Sequence, residues 1–169
     1  RLVGETGGKD FVLAHQSADV GALAVALVRG AFEYQGQKCS AASRAYVPDT
    51  LWPAVRERVV AMMADIRMGD VADFRNFVGA VIDKKGFDKI SEYIQTARKA
   101  KGVELVAGGK ADDAVGYFIE PTLLRAEDPR YRTMCEEIFG PVLTLHVYPA
   151  AKWEETLALV DGTSPYALT

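Results

Sequence analysis

The sequence predicts an α/β domain with an open, largely parallel twisted sheet and helices on both faces. Short apolar runs of strand length alternate along the chain with longer segments whose apolar residues recur every three or four positions. Strands that alternate with helices are typical of parallel sheets with right-handed crossovers. The chain has 169 residues, 49% of them hydrophobic, which suffices for one packed core and is short for two large domains.

The first strand and helix lie near the start of the chain. Residues 11–14 form a short apolar run of strand length. Ser17 and Asp19 follow this run and can cap the next helix. From Val20 to Ala31 the apolar residues form a stripe that we expect to pack on the sheet, and the helical pattern fades near residues 35–36.

The middle of the chain repeats this alternation. Residues 44–47 indicate a strand, and Pro48 separates it from a helix whose buried face runs from residue 51 to residue 66. The polar stretch 68–75 contains Asp and Gly and predicts a loop. Residues 83–101 are again helical, because their apolar residues align on one face.

The last third supplies three strand candidates and a final helix. The runs 103–107, 117–124 and 142–148 have strand character, and Pro121 predicts a sheet edge or a bulge in the second of them. Residues 153–160 predict a short amphipathic helix. Ligands of such sheets bind beyond the carboxyl ends of the strands. The loop of Cys39 follows a helix and precedes a strand, so the pattern alone leaves its position relative to that crevice open.

Charge and hydropathy argue against two classes of partner. The net charge is −3 and the charged residues are of mixed sign, so no basic surface for nucleic acid is expected. No apolar run approaches the roughly 20 residues that cross a bilayer, so no membrane is expected. The first residues lack the pattern of a secretory signal. They also lack an initiator Met, and the chain has no polar tail, which predicts a segment of a longer polypeptide.

Cys39 and Cys135 are the two cysteines of the chain. So few cysteines in a chain with a full-sized core do not indicate a disulfide scaffold, and we expect both thiols to be free. Neither belongs to a Cys-x-x-Cys pair, and His15 and His146 lie far from both in sequence. No metal site is therefore expected.

The first candidate motif is residues 4–9, Gly-Glu-Thr-Gly-Gly-Lys. It places the carboxylate of Glu5 beside glycines, which allow backbone turns that other residues avoid. A turn at a strand edge with a surface glutamate explains the same residues. The motif alone therefore assigns no function.

The second candidate motif is residues 35–41, which place Cys39 in a polar loop of small residues. Lys38 and nearby backbone N–H groups could stabilise a thiolate, which is the reactive form of the thiol. A buried and inert cysteine is the alternative. On these residues alone, both interpretations stay open.

The third candidate motif is residues 136–142, Glu-Glu-Ile-Phe-Gly-Pro-Val. It connects an expected helix end to a strand through Gly-Pro. Its spacing alone favours a plain connection with Phe139 in the core. Cys135, directly before it, is most simply interpreted as a structural thiol.

The three motifs together, in this order, resemble the aldehyde dehydrogenase superfamily along the whole chain. That family carries its general base in a Glu-x-Gly-Gly-Lys segment, matched by Glu5, and its nucleophile in a Gly-Gln-x-Cys loop, matched by Cys39, 34 residues later. The resemblance implies that Glu137 binds the nicotinamide ribose of NAD and that Phe139 packs near the nicotinamide. It also implies a Rossmann-like fold, a small-molecule aldehyde substrate and oxidation through a thioester on Cys39.

Several residues resemble one branch of that family. Thr6 stands where most members have leucine, and Ser40 follows Cys39. The branch oxidises L-glutamate γ-semialdehyde, formed from Δ1-pyrroline-5-carboxylate, to L-glutamate in proline breakdown. It implies that Ser40 helps to hold the α-carboxylate of the substrate. It also implies a homo-oligomer in the bacterial cytoplasm or the mitochondrial matrix, in some members fused to proline dehydrogenase.

By this resemblance, residues 1–169 are part of an aldehyde dehydrogenase catalytic domain. The family's cofactor domain, its oligomerisation strand and its Asn oxyanion donor have no counterpart in the chain. Alternatives stay open: another aldehyde substrate, or a segment that is inactive on its own. A thiol hydrolase or acyltransferase would need His15 or His146 beside Cys39.

Overall fold

The computed structural model describes residues 1–2 and 7–164 and confirms the predicted fold class. A five-stranded sheet has the order β1-β2-β7-β6-β3, and a two-stranded sheet pairs β4 with β5. The strands are β1 Phe11–Leu13, β2 Arg44–Pro48, β3 Val103–Ala107, β4 Ala111–Asp112, β5 Phe118–Ile119, β6 Thr122–Ala126 and β7 Val142–Tyr148. The α-helices are α1 Val20–Phe32, α2 Trp52–Ala64, α3 Lys84–Lys99, α4 Arg132–Cys135 and α5 Trp153–Asp161.

Four neighbouring strands of the larger sheet run parallel. Phe11 of β1 pairs with Arg44 of β2, and Arg44 pairs in turn with Thr144 of β7. Strand β6 continues this parallel arrangement on the other side of β7, and β3 closes that edge antiparallel to β6. Parallel neighbouring strands all begin on the same side of the sheet. The segments that precede these strands must therefore lie together on that side.

Helices cover both faces of this sheet. Ala45 and Val47 of β2 pack into a core with α1 and α2, whereas Tyr46 faces the opposite side, where α5 packs. This alternation is the two-residue period of a strand. Further along the same opposite face, Leu124 of β6 and Val142 of β7 pack against α3. Both faces of the central strands are therefore buried, as is usual for parallel strands with helices on both faces of the sheet.

The expected strand 117–124 is divided in two, which corrects the sequence prediction. Residues 118–119 pair with β4, and the chain joins the larger sheet only at Thr122. Pro121 lies directly before β6, a strand flanked by β7 and β3, so its placement at a sheet edge is wrong. Proline is tolerated there because it precedes the strand and takes no place in the ladder.

The helix starts follow local capping rules. Asp19 accepts a hydrogen bond from the backbone N–H of Ala22 at 2.7 Å and begins α1. Asp83 caps α3 in the same way through the N–H of Gly86. Among residues 1–2 and 7–164, no helix combines the length and the apolar composition that spanning a bilayer would require.

Candidate active site

Each of the three motifs directly precedes one of three neighbouring parallel strands. Residues 7–9 lead into β1, the Cys39 loop leads into β2, and residues 136–141 lead into β7. Because β1, β2 and β7 are adjacent and parallel, the segments that precede them lie side by side at the amino ends of these strands. The candidate site therefore lies at the amino ends of these strands, opposite to the carboxyl ends where ligands of such sheets are usually expected.

Gly8 joins the other two motifs. Its backbone N–H donates a hydrogen bond to the carboxylate Oε1 of Glu137 at 2.8 Å. A β-carbon at this position would lie 2.2 Å from the backbone carbonyl oxygen of Cys39, far inside van der Waals contact. Only glycine lets the segment of residues 7–9 pass this close to the cysteine loop.

The Cys39 loop begins in a short 3₁₀ turn, Glu33–Gly36, that departs from helical geometry. Tyr34, Gln35 and Gly36 all have positive φ, a conformation that is uncommon for residues other than glycine. A β-carbon on Gly36 would lie 2.3 Å from the carbonyl oxygen of Gly140, so this loop and the segment before β7 are in direct backbone contact.

Two glutamines hold this loop on its other side. The Gln35 side-chain amide donates to the carbonyl oxygen of Ala80 at 3.1 Å, and the Gln37 side-chain oxygen accepts from the N–H of Ile82 at 2.9 Å. The loop is thus fixed to the segment that leads into α3. Cys39 at its tip is exposed, which contradicts the interpretation of this residue as a buried, inert thiol.

Ser40 is exposed beside Cys39. Lys38 is exposed as well, and its ammonium lies 3.4 Å from a carboxylate oxygen of Glu33. Hydrogen bonds from Arg29 and then from Lys38 hold the pKa of Glu33 below its usual range. Part of the Lys38 charge is therefore compensated locally, although an ion pair this exposed contributes little to stability.

The segment before β7 presents Glu137 and Phe139 differently. Glu137 is half-buried, with its carboxylate on Gly8 and its backbone carbonyl oxygen accepting from Lys89 at 2.9 Å. Phe139 is 43% exposed, so the interpretation that places it in the core is wrong. Its φ of 60° is costly for a bulky side chain, and such strain concentrates at functional sites.

Lys9 is fully buried next to these groups, which the sequence did not indicate. Within the part of the chain that the structure describes, its ammonium nitrogen has no hydrogen-bond partner. Its backbone carbonyl oxygen accepts from the buried guanidinium of Arg44 at 3.0 Å. Burial, and then the positive charge of Arg44, lower the pKa of Lys9 to about 7, against the opposing effect of Glu136 and Glu137.

Replacing Lys9 by methionine is expected to stabilise the chain at low pH. The pKa of Lys9 is about 7 in the folded chain and 10.5 as its ordinary value. Between these values the unfolded chain binds more protons, so the stability of the wild type rises with pH, whereas below about pH 7 the full penalty of burying the charge is present. In urea denaturation, the stability advantage of Lys9→Met should therefore fall by about 3 kcal/mol between pH 6 and pH 9.

The matched control is Lys85→Met, because Lys85 is an exposed lysine on α3. This control should not change the slope of stability against pH. If the stability of wild-type and Lys9→Met chains ran parallel from pH 6 to pH 9, the buried ammonium would not carry the lowered pKa.

The other predicted residues fall outside this cluster or outside the described chain. Glu5 and Thr6 lie in residues 3–6, outside the described residues. Cys135 is half-buried and free, its Sγ lies 3.4 Å from the Arg130 carbonyl oxygen, and burial raises its thiol pKa. Among residues 1–2 and 7–164, no group of three or more His, Cys, Asp or Glu side chains could hold a metal ion.

The two histidines have other contacts. His15 bonds to Ser17 at 2.8 Å and packs edge-on against Trp153. His146 lies 3.1 Å from the carbonyl oxygen of Ala126, and burial lowers the pKa of its imidazole. Within the described residues, neither imidazole is hydrogen-bonded to Cys39, so nothing in the geometry favours a cysteine–histidine hydrolase.

Comparison with known proteins identifies the family of the chain. The chain belongs to the aldehyde dehydrogenase family, whose model matches residues 1–169. More particularly, the chain is 55% identical over its whole length to the mitochondrial delta-1-pyrroline-5-carboxylate dehydrogenase of Dictyostelium discoideum, and 51% identical to the human protein of that name. It spans about 30% of the length of each of these curated relatives.

Solved structures agree with this assignment. The delta-pyrroline-5-carboxylate dehydrogenase of Mycobacterium tuberculosis bound with NAD superposes with a TM-score of 0.91 at 47% identity, over 99% of this chain and 30% of that one. The 1-pyrroline-5-carboxylate dehydrogenase from Thermus with bound NAD gives a TM-score of 0.85 at 34% identity, over 98% of this chain and 32% of that one. The predicted family and its catalytic-domain fold are thereby confirmed.

Proposed function

We propose that this chain is part of the catalytic domain of an NAD-dependent dehydrogenase that oxidises L-glutamate γ-semialdehyde to L-glutamate. The observation that carries the proposal is the position of Gly8, whose N–H holds Glu137 and whose α-carbon lies against the Cys39 carbonyl. One backbone segment thus ties the proposed nucleophile to the proposed cofactor carboxylate. The names of the relatives support the substrate, and the NAD-bound structure of the Mycobacterium tuberculosis relative supports the cofactor.

Cys39 acts as the nucleophile. Its sulfur forms a bond to the aldehyde carbon, the carbonyl π-bond opens to an alkoxide, and Glu5 accepts the proton of the thiol. The backbone N–H of Cys39 donates to the alkoxide, together with an Asn from another part of the enzyme. Glu5 passes the thiol proton to solvent before the second half of the reaction. After oxidation, the Glu5 carboxylate takes a proton from the water that attacks the thioester, the carbon–sulfur bond breaks, and the Cys39 thiolate leaves from the carboxylic acid product.

The described residues fit the nicotinamide end of NAD, which when bound supplies the acceptor of the hydride. The Glu137 carboxylate would hold the nicotinamide ribose, since an ionised carboxylate has about four acceptor sites and Gly8 occupies one of them. The exposed Phe139 ring would pack near the nicotinamide. Ser40 would help to hold the α-carboxylate of the substrate.

The remaining functions belong to other parts of the enzyme. We propose that residues 1–169 are a partial catalytic domain, and that the adenine site, the oxyanion Asn and the oligomerisation strand of a homo-oligomer lie elsewhere in the longer protein. The isolated chain is then inactive. The mitochondrial names of the curated relatives support a mitochondrial matrix location, with the bacterial cytoplasm as its counterpart. A fusion to proline dehydrogenase is the alternative arrangement, which belongs to bacterial bifunctional members of the branch.

The test compares the full-length enzyme with the isolated chain. NADH formation should be fastest, by kcat/KM, with L-glutamate γ-semialdehyde in a panel that includes succinate semialdehyde and acetaldehyde, which lack the α-amino acid group. The isolated chain should form no NADH with any of them. Preference for another aldehyde would refute the substrate, and turnover by the isolated chain would refute its assignment as an inactive segment.

A further inference from the structure

Glu136 and Glu137 are adjacent in the chain, and their carboxylates contact different parts of the structure. The backbone at Glu136 is extended, with φ −95° and ψ 141°, and successive side chains of an extended backbone point to opposite sides. The Glu137 carboxylate meets Gly8 on the side of the catalytic cysteine. The Glu136 carboxylate meets Tyr93 of α3. The pair therefore connects the site to a helix that contributes no group to the proposed chemistry.

The contact with α3 is a compact charged cluster. The Tyr93 hydroxyl donates to Oε2 of Glu136 at 2.5 Å, and the tyrosine is only 7% exposed. The Arg132 guanidinium stacks 4.0 Å from the centre of the Tyr93 ring and lies 3.4 Å from the same carboxylate oxygen. Arg132 also pairs with Glu92 at 3.0 Å. The hydrogen bond from Tyr93, and then the charge of Arg132, hold the pKa of Glu136 below its usual range.

This cluster anchors the first residue of an irregular segment, which is held further along by the bonds of Gly8 and Lys89 to Glu137 and by the buried side chain of Ile138. Between the end of α4 at Cys135 and the start of β7 at Val142, the chain runs without regular structure. Phe139 within it has the left-handed backbone conformation, which is strained for a bulky residue. The backbone of this segment would relax if its anchors were removed. The charge-assisted hydrogen bond from Tyr93 to Glu136 restrains the backbone directly before Glu137 and thereby the direction of the Glu137 side chain.

We propose that Tyr93 is a positioning residue for NAD, acting through Glu136 on Glu137. The inference rests on the proposed function, in which Glu137 holds the nicotinamide ribose. Tyr93 touches neither cofactor nor substrate in this role. It keeps the Glu137 carboxylate in place before the cofactor arrives, so that binding does not have to order it.

The experiment is Tyr93→Phe in the full-length enzyme. The KM for NAD and the Kd for NAD by fluorescence titration should each rise about tenfold, because a hydrogen bond to a charged group is lost. The KM for the aldehyde and the rate of Cys39 alkylation by iodoacetamide should not change. Tyr117→Phe is the matched control, since no hydrogen bond of the Tyr117 hydroxyl is seen among the described residues, and it should leave both NAD constants unchanged.

A second variant separates positioning from general loss of structure. Glu136→Gln keeps an acceptor for Tyr93 but loses the charge, so its NAD constants should lie between wild type and Tyr93→Phe. In the double variant the two effects should not add, because both substitutions weaken one bond. If Tyr93→Phe does not fold, Glu136→Gln alone must still raise the KM for NAD.

The outcomes distinguish this inference from the proposed function. A wild-type enzyme that fails to reduce NAD with any aldehyde would refute the function itself. A wild-type enzyme that works, with NAD constants equal in Tyr93→Phe, Glu136→Gln and Tyr117→Phe, would overturn the positioning role alone. Equal increases in the KM for NAD and in the KM for the aldehyde would also overturn it. Such a result would indicate a general distortion of the site and not a specific effect on NAD binding.

Discussion

Replacing Cys39 by alanine in the full-length enzyme is expected to lower aldehyde oxidation by roughly 10⁴-fold or more. The exposed thiol at the tip of the loop before β2 is the proposed point of attack, and alanine cannot form the covalent intermediate. Hydrolysis of an activated ester should be lost to the same extent, because it uses the same thioester. NADH formation and nitrophenol release from a nitrophenyl ester measure the two reactions.

Cys135→Ala is the matched control for this substitution. Its thiol is half-buried near the carbonyl oxygen of Arg130, and burial raises its pKa, which disfavours the reactive thiolate. This variant should retain both activities. If oxidation survives in Cys39→Ala, or is lost only in Cys135→Ala, Cys39 is not the nucleophile.

Much of the fold follows from periodicity in the sequence. The apolar stripe from residue 20 to residue 31 became α1, and the run 142–148 became β7 with these bounds. Both patterns persist over enough residues to distinguish a helix from a strand. The prediction of one strand over residues 117–124 is wrong, because a pattern of apolar residues does not show that Pro121 lies between two strands of different sheets.

The sequence predicts the motifs of the site but not their positions in space. Each motif could be found in the sequence, but β7 lies beside β2 although more than ninety residues separate them in the chain, and only this adjacency brings Glu137 to Gly8 and Cys39. Local sequence carries no signal for such pairing. The two glycines of residues 7–8 were the available hint that a backbone passes close by.

Buried charge and backbone strain were out of reach of the sequence. Lysine is almost never fully buried without a partner, so the sequence carries no signal for the burial of Lys9. Phenylalanine rarely adopts positive φ, so nothing predicts the left-handed Phe139. Both departures from local preference lie beside the proposed cofactor carboxylate. Conflicts of this kind are expected where function, and not stability, has determined the residue.

Replacing Gly8 by alanine is expected to lower kcat in the full-length enzyme by about 100-fold, although the substitution adds one methyl group. The new β-carbon would lie 2.2 Å from the Cys39 carbonyl oxygen, so the segment of residues 7–9 and the cysteine loop must separate. The N–H that holds Glu137 moves with this segment. Nucleophile and cofactor carboxylate then lose their common anchor, and a displacement of about 1 Å costs about two orders of magnitude in rate.

Gly162→Ala provides the same chemical change without the clash, because its nearest contact would be the Ala158 carbonyl oxygen at 3.4 Å. It should retain wild-type kcat. Circular dichroism and the rate of Cys39 alkylation show whether Gly8→Ala is folded and whether the loop has moved. A folded Gly8→Ala variant with wild-type kcat would mean that the contact between Gly8 and the cysteine loop is dispensable. The three motifs would then share an edge of the sheet without acting as one site.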